Sequence, residues 1–585
     1  MGREQSVVIV VVLLVFYPAL AYSPAVTAQD DMMEFVMAYP QDLEALSPLS
    51  FPDHLTVWYN MLVYDTLLSY DDNLTAIPWL AESFSVRSDG LQVNFTLREG
   101  AYWHDGQPVT PDDVKFTFEL IRDGPSHLRG WAFLQHVTNI EIFSHEIVIT
   151  LDQVNSFAID KLGSTFILPK HIRQGISADN IIWNDPNNLS AHVGSGMFRY
   201  VERSSGEYIL LDRFDDWWGP DNPHVGQLPN IDRVRIDIII RQEVRIMAMR
   251  NGDVDTERYE VSSAFVSHVL EAPELQLVAG VVSIWEYFLG LNTKVAGLDD
   301  FEVRKAIAYA IDREELINIG RLGFAEATKS IIPEAFYPSI YHLDGDFPEQ
   351  NVTIANQILD DAGWVDTNMN GIRDNGLGVE LSFELLALSW DDASVNMGTG
   401  LKLQLEEIGF EIDLVSQSDE LLYPAVFVSP RSFEMLSGGL FYPAYPDYPY
   451  WRMHSDYYVD WSENFFGWSN STLDSILEDY ISATPSEFFS AARAVQVAAT
   501  ENMPYIPIFV NHDTHALRAE WTNFSTKPGG PFTIFCPETM VFMYDSEMHT
   551  APTGSDPVLI LAVGAGAFAA GVVLTCVVLR RRYEK

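Results

Sequence analysis

The sequence predicts an exported α/β protein with one transmembrane helix at its C-terminal end. Apolar side chains alternate at Leu91, Val93, Phe95 and Leu97, the period of a half-buried strand, whereas Val303, Ile307 and Ile311 recur at four-residue spacing, the period of a helix. Both patterns are interspersed along the chain with no fixed-period repeat, which argues against solenoids and propellers. The third observation is the run 558–579, which carries no charge. As a helix it would extend about 33 Å, enough to cross a hydrocarbon core of about 30 Å.

At the N-terminus, a short apolar run from Val7 to Phe16 precedes small-residue sites ending at Ala21 and Ala28, the pattern of a signal peptide over 1–28. Pro18 and the shortness of the run disfavour a membrane helix there. The two cysteines are Cys536 and Cys576, the second inside the apolar run, so no disulfide staples the ectodomain.

After the strand at Leu91, Thr110 is placed to cap a helix. Pro111 suits its first position, Asp113 completes a capping-box-like pair, and Val114, Phe118 and Ile121 supply the apolar face. Strand-like runs recur at 146–151, 208–211 and 234–240, and a helical pattern runs from Asp300 toward Gly320. Residues 550–557 read as a polar stalk. Arg580, Arg581 and Arg582 then place the tail 580–585 in the cytoplasm and the preceding chain outside.

A net charge of −47 makes nucleic acid an unsuitable partner. Phosphate-binding loop, zinc-protease and nucleophile-elbow signatures are missing. With 82 acidic residues, no carboxylate pair is informative, so the expectation is a protein that performs no chemistry and requires no cofactor.

The stretch LAESFSVRSDGLQVNFTLREGAYWHDGQPVTPDDVKFTFEL (80–120) is followed in order by GSGMFRY (194–200), RFDDWWG (213–219), MRNGDVD (249–255), LGLNTK (289–294), FEVRKAIAYAIDREELI (301–317), LDDAGW (359–364) and LEEIGFEIDL (405–414). Together these blocks resemble the family 5 extracellular solute-binding proteins, the peptide-, nickel- or oligosaccharide-binding subunits of ABC importers. The resemblance implies a two-lobed periplasmic-binding-protein-like fold of type II with an extra subdomain. Lobe one would comprise 33–288 and 508–549, with 65–190 as the extra subdomain, and lobe two 292–507. Hinge strands would lie at 288–292 and 503–509. The implied partners are permease subunits with a separate ATPase. The C-terminal anchor would suit an archaeal-type surface, with the ectodomain extracellular.

The segment 438–451 concentrates aromatic rings beside prolines, a stiff surface for gripping a ligand. Phe441, Tyr442, Tyr445, Asp447, Tyr448 and Trp451 are therefore candidate ligand contacts, with Trp285 and Tyr287 added by position; core packing is the alternative for each. In peptide-binding members an aspartate of the matching loop pairs with the ligand ammonium. That position resembles Ala444 here, and Asp447 fits a second acidic position. Either Asp447 takes the ammonium or the ligand has none, which leaves peptides and oligosaccharides both open.

Asp366, Asn368, Asn370, the Ile372 carbonyl and Asp374 have the spacing of a calcium loop, with Gly371 at its turn and Leu377 where a bidentate glutamate would stand. A glycine turn held by side-chain bonds to its own backbone is the equal alternative. His104 reads as a turn residue, having no second histidine at ligand spacing. Sequons occur at Asn73, Asn94, Asn188, Asn351, Asn470 and Asn523.

Overall fold

The computed structural model describes residues 32–43, 46–49, 54–71, 74–177, 192–335, 337–443, 445–524 and 538–545. The expected signal peptide, stalk, transmembrane run and tail lie outside these residues, as do both cysteines, Ala444, Asn73 and Asn188. Among the described residues no helix is long and apolar enough to cross a membrane.

An 11-stranded mixed sheet runs through the molecule in the order Glu411–Gln417, Ser382–Leu388, Met435–Phe441, Leu275–Leu291, Tyr505–Arg518, Thr256–Glu257, Glu34–Tyr39, Arg233–Ile238, Tyr208–Arg213, Phe198–Ser204, with Ala325–Ala327 paired onto Tyr505–Arg518. Its two long central strands, Leu275–Leu291 and Tyr505–Arg518, pair antiparallel from Leu275↔Arg518 to Gly290↔Tyr505. Each therefore serves two apolar cores. One core contains Phe35, Met37, Phe198 and Ile236 and is closed by Leu517 and Trp521. The other contains Leu289, Val303, Leu385, Leu436 and Ile506. These are the two lobes. The register slips at three places between Val278 and Phe288, where the strands pass from one core to the other; such slips kink and twist a strand.

The signature stretch builds a separate antiparallel sheet, in the order Ala81–Val86, Gln92–Leu97, Glu146–Leu151, Val137–Phe143. Helix Pro111–Arg122 covers it with Val114, Phe118 and Ile121 buried, as their spacing predicts. At the helix start, Asp113 Oδ2 accepts the Thr110 N–H at 2.8 Å. The expected long helix after Asp300 is two helices. Phe301–Ala310 ends at Ile311, which is extended, and Arg313–Arg321 restarts because the Asp312 side chain accepts the Glu315 N–H. An aspartate able to cap breaks a pattern that apolar spacing alone would continue.

His104 joins two of the sequence blocks. Its ring accepts from the Gly194 N–H at 3.2 Å on Nδ1 and lies 2.9 Å from Gly196 O on Nε2, so the neutral tautomer with the proton on Nε2 satisfies both. Gly194 is required because a Cβ there would stand 1.7 Å from the Val63 carbonyl oxygen. The histidine is thus a half-buried clasp between the 103–106 turn and the Gly194–Gly196 segment. Burial lowers its pKa to about 4.

Three sequon asparagines are engaged by their own fold. Asn351 caps Val352–Asp361, Asn470 caps Ser471–Ile481, and the Asn523 amide donates to Phe542 O at 2.9 Å. The first two caps use the side-chain oxygen, and at Asn523 the amide nitrogen itself is the donor.

Candidate functional site

Strand Met435–Phe441 lies between Ser382–Leu388 and Leu275–Leu291, and its end carries the aromatic loop out to helix Tyr448–Met453. Tyrosine hydroxyls from neighbouring elements pin the loop through its carbonyls. Tyr337 donates to Pro443 O and Tyr480 to Pro446 O, while the loop's Tyr448 donates to Ile331 O. Prolines cannot donate, so such a loop is held by what its carbonyls accept.

The extra subdomain closes over this loop. Ser156 Oγ donates to Tyr480 O at 2.7 Å and to Ala483 O at 3.0 Å, and the Ser156 N–H to Ile481 O at 2.8 Å. Beside it Phe157, 2% exposed, packs on Tyr480 and Phe488 with ring centroids 5.5 and 5.4 Å away. Between the two faces is a cavity of about 920 Å³, within the range of small-molecule sites. One wall comes from 126–134 and 161–166 of the subdomain, and the other from 441–482.

Phe441, Tyr445, Asp447, Tyr448 and Trp451 all line this cavity. Tyr442, Trp285 and Tyr287 are not among its lining residues. Tyr442 is fully buried against Tyr448, with ring centroids 4.7 Å apart. Trp285 pairs in register with Phe441 and packs on the lobe-two core. Tyr287 stacks on Phe509 at 5.0 Å and donates to Asp391 at 2.9 Å. These three belong to the wall's support. In an alternating strand, apolar period alone does not say which side is cavity and which is core.

The sequence reading missed the opposite wall. Lys161, on the short helix Ala158–Gly163, forms an ion pair with Asp447 across the cavity. Trp451 Nε1 donates to the same Asp447 Oδ2 at 2.9 Å, and the Lys161 ammonium stands 5.1 and 5.4 Å from the Tyr445 and Trp451 ring centroids. Burial opposes the ammonium, but Tyr445, Asp447 and Asp160 outweigh it and hold Lys161 above its ordinary pKa. Burial also pushes Asp160 up to about 7. Arg129 and Trp131 enter from the same side, on either flank of Gly130, whose φ of 84° turns the chain between them. No motif marks these residues, because the topology alone brings them to Asp447.

Behind the loop, Arg452 is 1% exposed and bonds Glu286 at 3.0 Å, Glu463 at 3.2 Å and the Phe441 carbonyl at 3.0 Å, beneath the Tyr448 ring at 4.5 Å. Burial raises both Glu286 and Glu463, and Arg452 pulls each back down.

Far from the cavity, the 366–374 loop is closed by its own bonds. Asp366 accepts the Asn370 and Gly371 N–H groups, and Asn370 Oδ1 accepts the Ile372 N–H. Asp374 turns inward to Thr367 and Gly376. Glu380 receives both amide groups, Asn368 and Asn370 Nδ2, at 2.9 Å. Among the described residues no three His, Cys, Asp or Glu side chains converge as a metal site.

Two lobes joined by long strands, with a ligand-sized cavity closed by a subdomain, define a binding protein of the periplasmic type. The chain belongs to the bacterial extracellular solute-binding proteins, family 5, whose middle-region model matches residues 75–459. It is similar to the oligopeptide-binding protein AppA of Bacillus subtilis, 26% identical over 475 residues that cover 80% of this chain and 84% of that protein. The structure of AppA from Bacillus subtilis with a nonapeptide matches with a TM-score of 0.68 at 23% identity, covering 88% of this chain and 99% of that one. An oligopeptide-transporter binding protein of Thermotoga maritima with mannohexaose bound matches with a TM-score of 0.68 at 19% identity, covering 88% and 99%. At these identities the two structures establish the fold alone.

Proposed function

We propose that this chain is the membrane-tethered receptor of an ABC importer, which captures a short peptide or similar oligomeric solute between the extra subdomain and lobe two and delivers it to the permease. The cavity of about 920 Å³ walled by both carries the reading. Closure would bury both faces of a ligand, and a ligand that prefers the closed form shifts the population toward it. The named activity of the Bacillus relative favours peptides. The run 558–579 would tether the ectodomain, and the ATPase would be a separate chain. The lobe limits 33–288 with 508–549, and 292–507, are proposed with the hinge in the central strand pair.

A second reading, an oligosaccharide receptor, draws on the half-buried rings of Trp131, Tyr445 and Trp451 that line the cavity, since aromatic rings stack on sugars without an ion pair. To separate them, the purified full chain is incubated with mixed short peptides and oligosaccharides, washed, and analysed by native mass spectrometry. Short peptides retained at one per chain are expected. Retention of sugars alone would replace the first reading by the second, and cleaved products would replace both by a hydrolase.

A further inference from the structure

We propose that the cavity recognises its solute by an anionic group, a carboxylate, set against Arg129, and that it offers no carboxylate of its own to a ligand ammonium. The inference rests on the solute-capture reading and names the ligand chemistry that site would select.

Three carboxylates line the cavity, and each already faces a basic side chain. Asp447 holds Lys161 and accepts from Trp451. Glu463 holds Arg452 at 3.2 Å, and Glu478 lies 3.5 Å from His454. A ligand ammonium placed beside Asp447 would have to expel Lys161, exchanging one ion pair for another and leaving a displaced, partly buried ammonium to be satisfied. That exchange yields no net pairing.

Arg129 is the opposite case. Among the described residues its guanidinium has no carboxylate partner. It lies 5.7 Å from the Phe166 ring centroid, and its titratable neighbours are the phenols Tyr445 and Tyr70, both kept protonated by burial. Arg129 is half-buried, and burial presses its pKa down with no carboxylate to oppose it. On the same wall His136 faces Asp152 at 3.1 Å, and Lys161 faces Asp447. What the cavity leaves unsatisfied is therefore a planar five-donor fork, which fits a carboxylate through two parallel bonds. Trp131 beside it and Trp451 opposite supply flat surfaces for the remainder of the solute.

Two sources carry this chemistry, an amine-blocked peptide with a free carboxyl end and an acidic oligosaccharide. The test uses the full chain in detergent, with calorimetry on one tetrapeptide made in four forms, amine free or acetylated and carboxyl free or amidated, and on a uronate-ended oligosaccharide and its methyl ester. Loss of the carboxylate is expected to weaken binding about 10- to 100-fold in the wild type and not at all in Arg129→Gln. Arg129→Lys keeps part of the preference and guards against a folding defect. Acetylation is expected to cost nothing. Equal binding of acid and amide in the wild type, or loss on acetylation, overturns the proposal. Binding of the sugar pair alone removes the peptide reading and leaves the carboxylate inference standing. If neither series binds, the solute reading fails for these classes, and the charge inference is judged by the thermal shift with millimolar malonate. A shift lost in Arg129→Gln supports it, and an identical shift in both proteins overturns it.

Discussion

Arg452 and Lys161 stand on opposite sides of the same aromatic wall, and each holds a carboxylate in a nearly dry setting. Their difference is in whose atoms they join. Arg452, Glu286, Glu463 and the Phe441 carbonyl all belong to the loop and its supporting strands, and all of the cation's partners are internal to that lobe. Lys161 comes from the extra subdomain and reaches Asp447 in the other lobe, across space that a solute would occupy. An ion pair within one packed body fixes the shape of that body. A pair spanning the cavity fixes the relation between two walls, and it responds to whatever enters.

The largest expected effect comes from breaking the internal pair. Arg452→Ala leaves Glu286 buried without a cation, and such truncations cost about 3–5 kcal/mol. A denaturant midpoint lowered accordingly, with partial recovery in the double variant Arg452→Met, Glu286→Met, would place the network among structural devices. An unchanged midpoint would erase the distinction from Lys161.

A second interior network carries no charge until acid supplies it. His104 is held neutral, its folded pKa lowered to about 4 by burial from the ordinary 6.5. Its contribution is complete above the unfolded value and is lost as pH falls through 6.5 toward 4, amounting to about 2 kcal/mol by pH 5. Asp65 works in the other direction, because burial lifts it to about 7 and its penalty is relieved on acidification. It is common to both proteins, so the difference between wild type and His104→Gln isolates the histidine. The stability gap between them should narrow by about 2 kcal/mol from pH 8 to pH 5, and a gap independent of pH would show that the ring is not buried neutral.

For the pair across the cavity a smaller stability change is expected, about 1 kcal/mol in Lys161→Met, because cavity water can solvate the freed Asp447. The binding change is larger and opposite in character. With Asp447 released, a peptide with a free amine should gain affinity over its acetylated form, a preference that the wild type lacks. Calorimetry on the two forms measures it, and a preference identical to the wild type would mean that Lys161 does not hold Asp447 in solution.

The signature stretch was legible because its residues serve local structure. Val114, Phe118 and Ile121 at helical spacing, Asp113 at the cap and the alternation from Val93 to Leu97 each obey rules that act over a few residues. The aromatic loop was legible in composition, and its cavity-lining members Phe441, Tyr445, Asp447, Tyr448 and Trp451 came from that density of rings and prolines. Tyr442 in the loop and Tyr287 in the central strand face the core instead, a choice made by strand pairing, by Arg452 beside Tyr442 and by Asp391, which lies 104 residues from Tyr287. Lys161 and Arg129 could not be read at all. Neither sits in a motif, and their roles exist only where the subdomain meets the other lobe.

The smallest expected effect tests whether a polar cluster needs any cation. In the 366–374 loop, the carboxylate oxygens of Asp366 and Asp374 accept backbone or hydroxyl hydrogens of the loop itself, and Glu380 takes the two asparagine amides. Asp374, expected at the ninth ligand position, faces inward, and Leu377 at the twelfth is 89% exposed. A calcium ion would have to replace several of these bonds, including the amide contacts to Glu380, with no carboxylate at the twelfth position to bind it in two-oxygen fashion. The melting temperature should therefore move by less than about 1 °C on adding EDTA or millimolar calcium, since any ligand that stabilises does so through RT ln(1 + [L]/Kd). A calcium-dependent rise that disappears in Glu380→Gln would reverse the assignment. It would make Glu380 the missing ligand and place this loop with Asp447, among the carboxylates whose function is to hold a cation from another source.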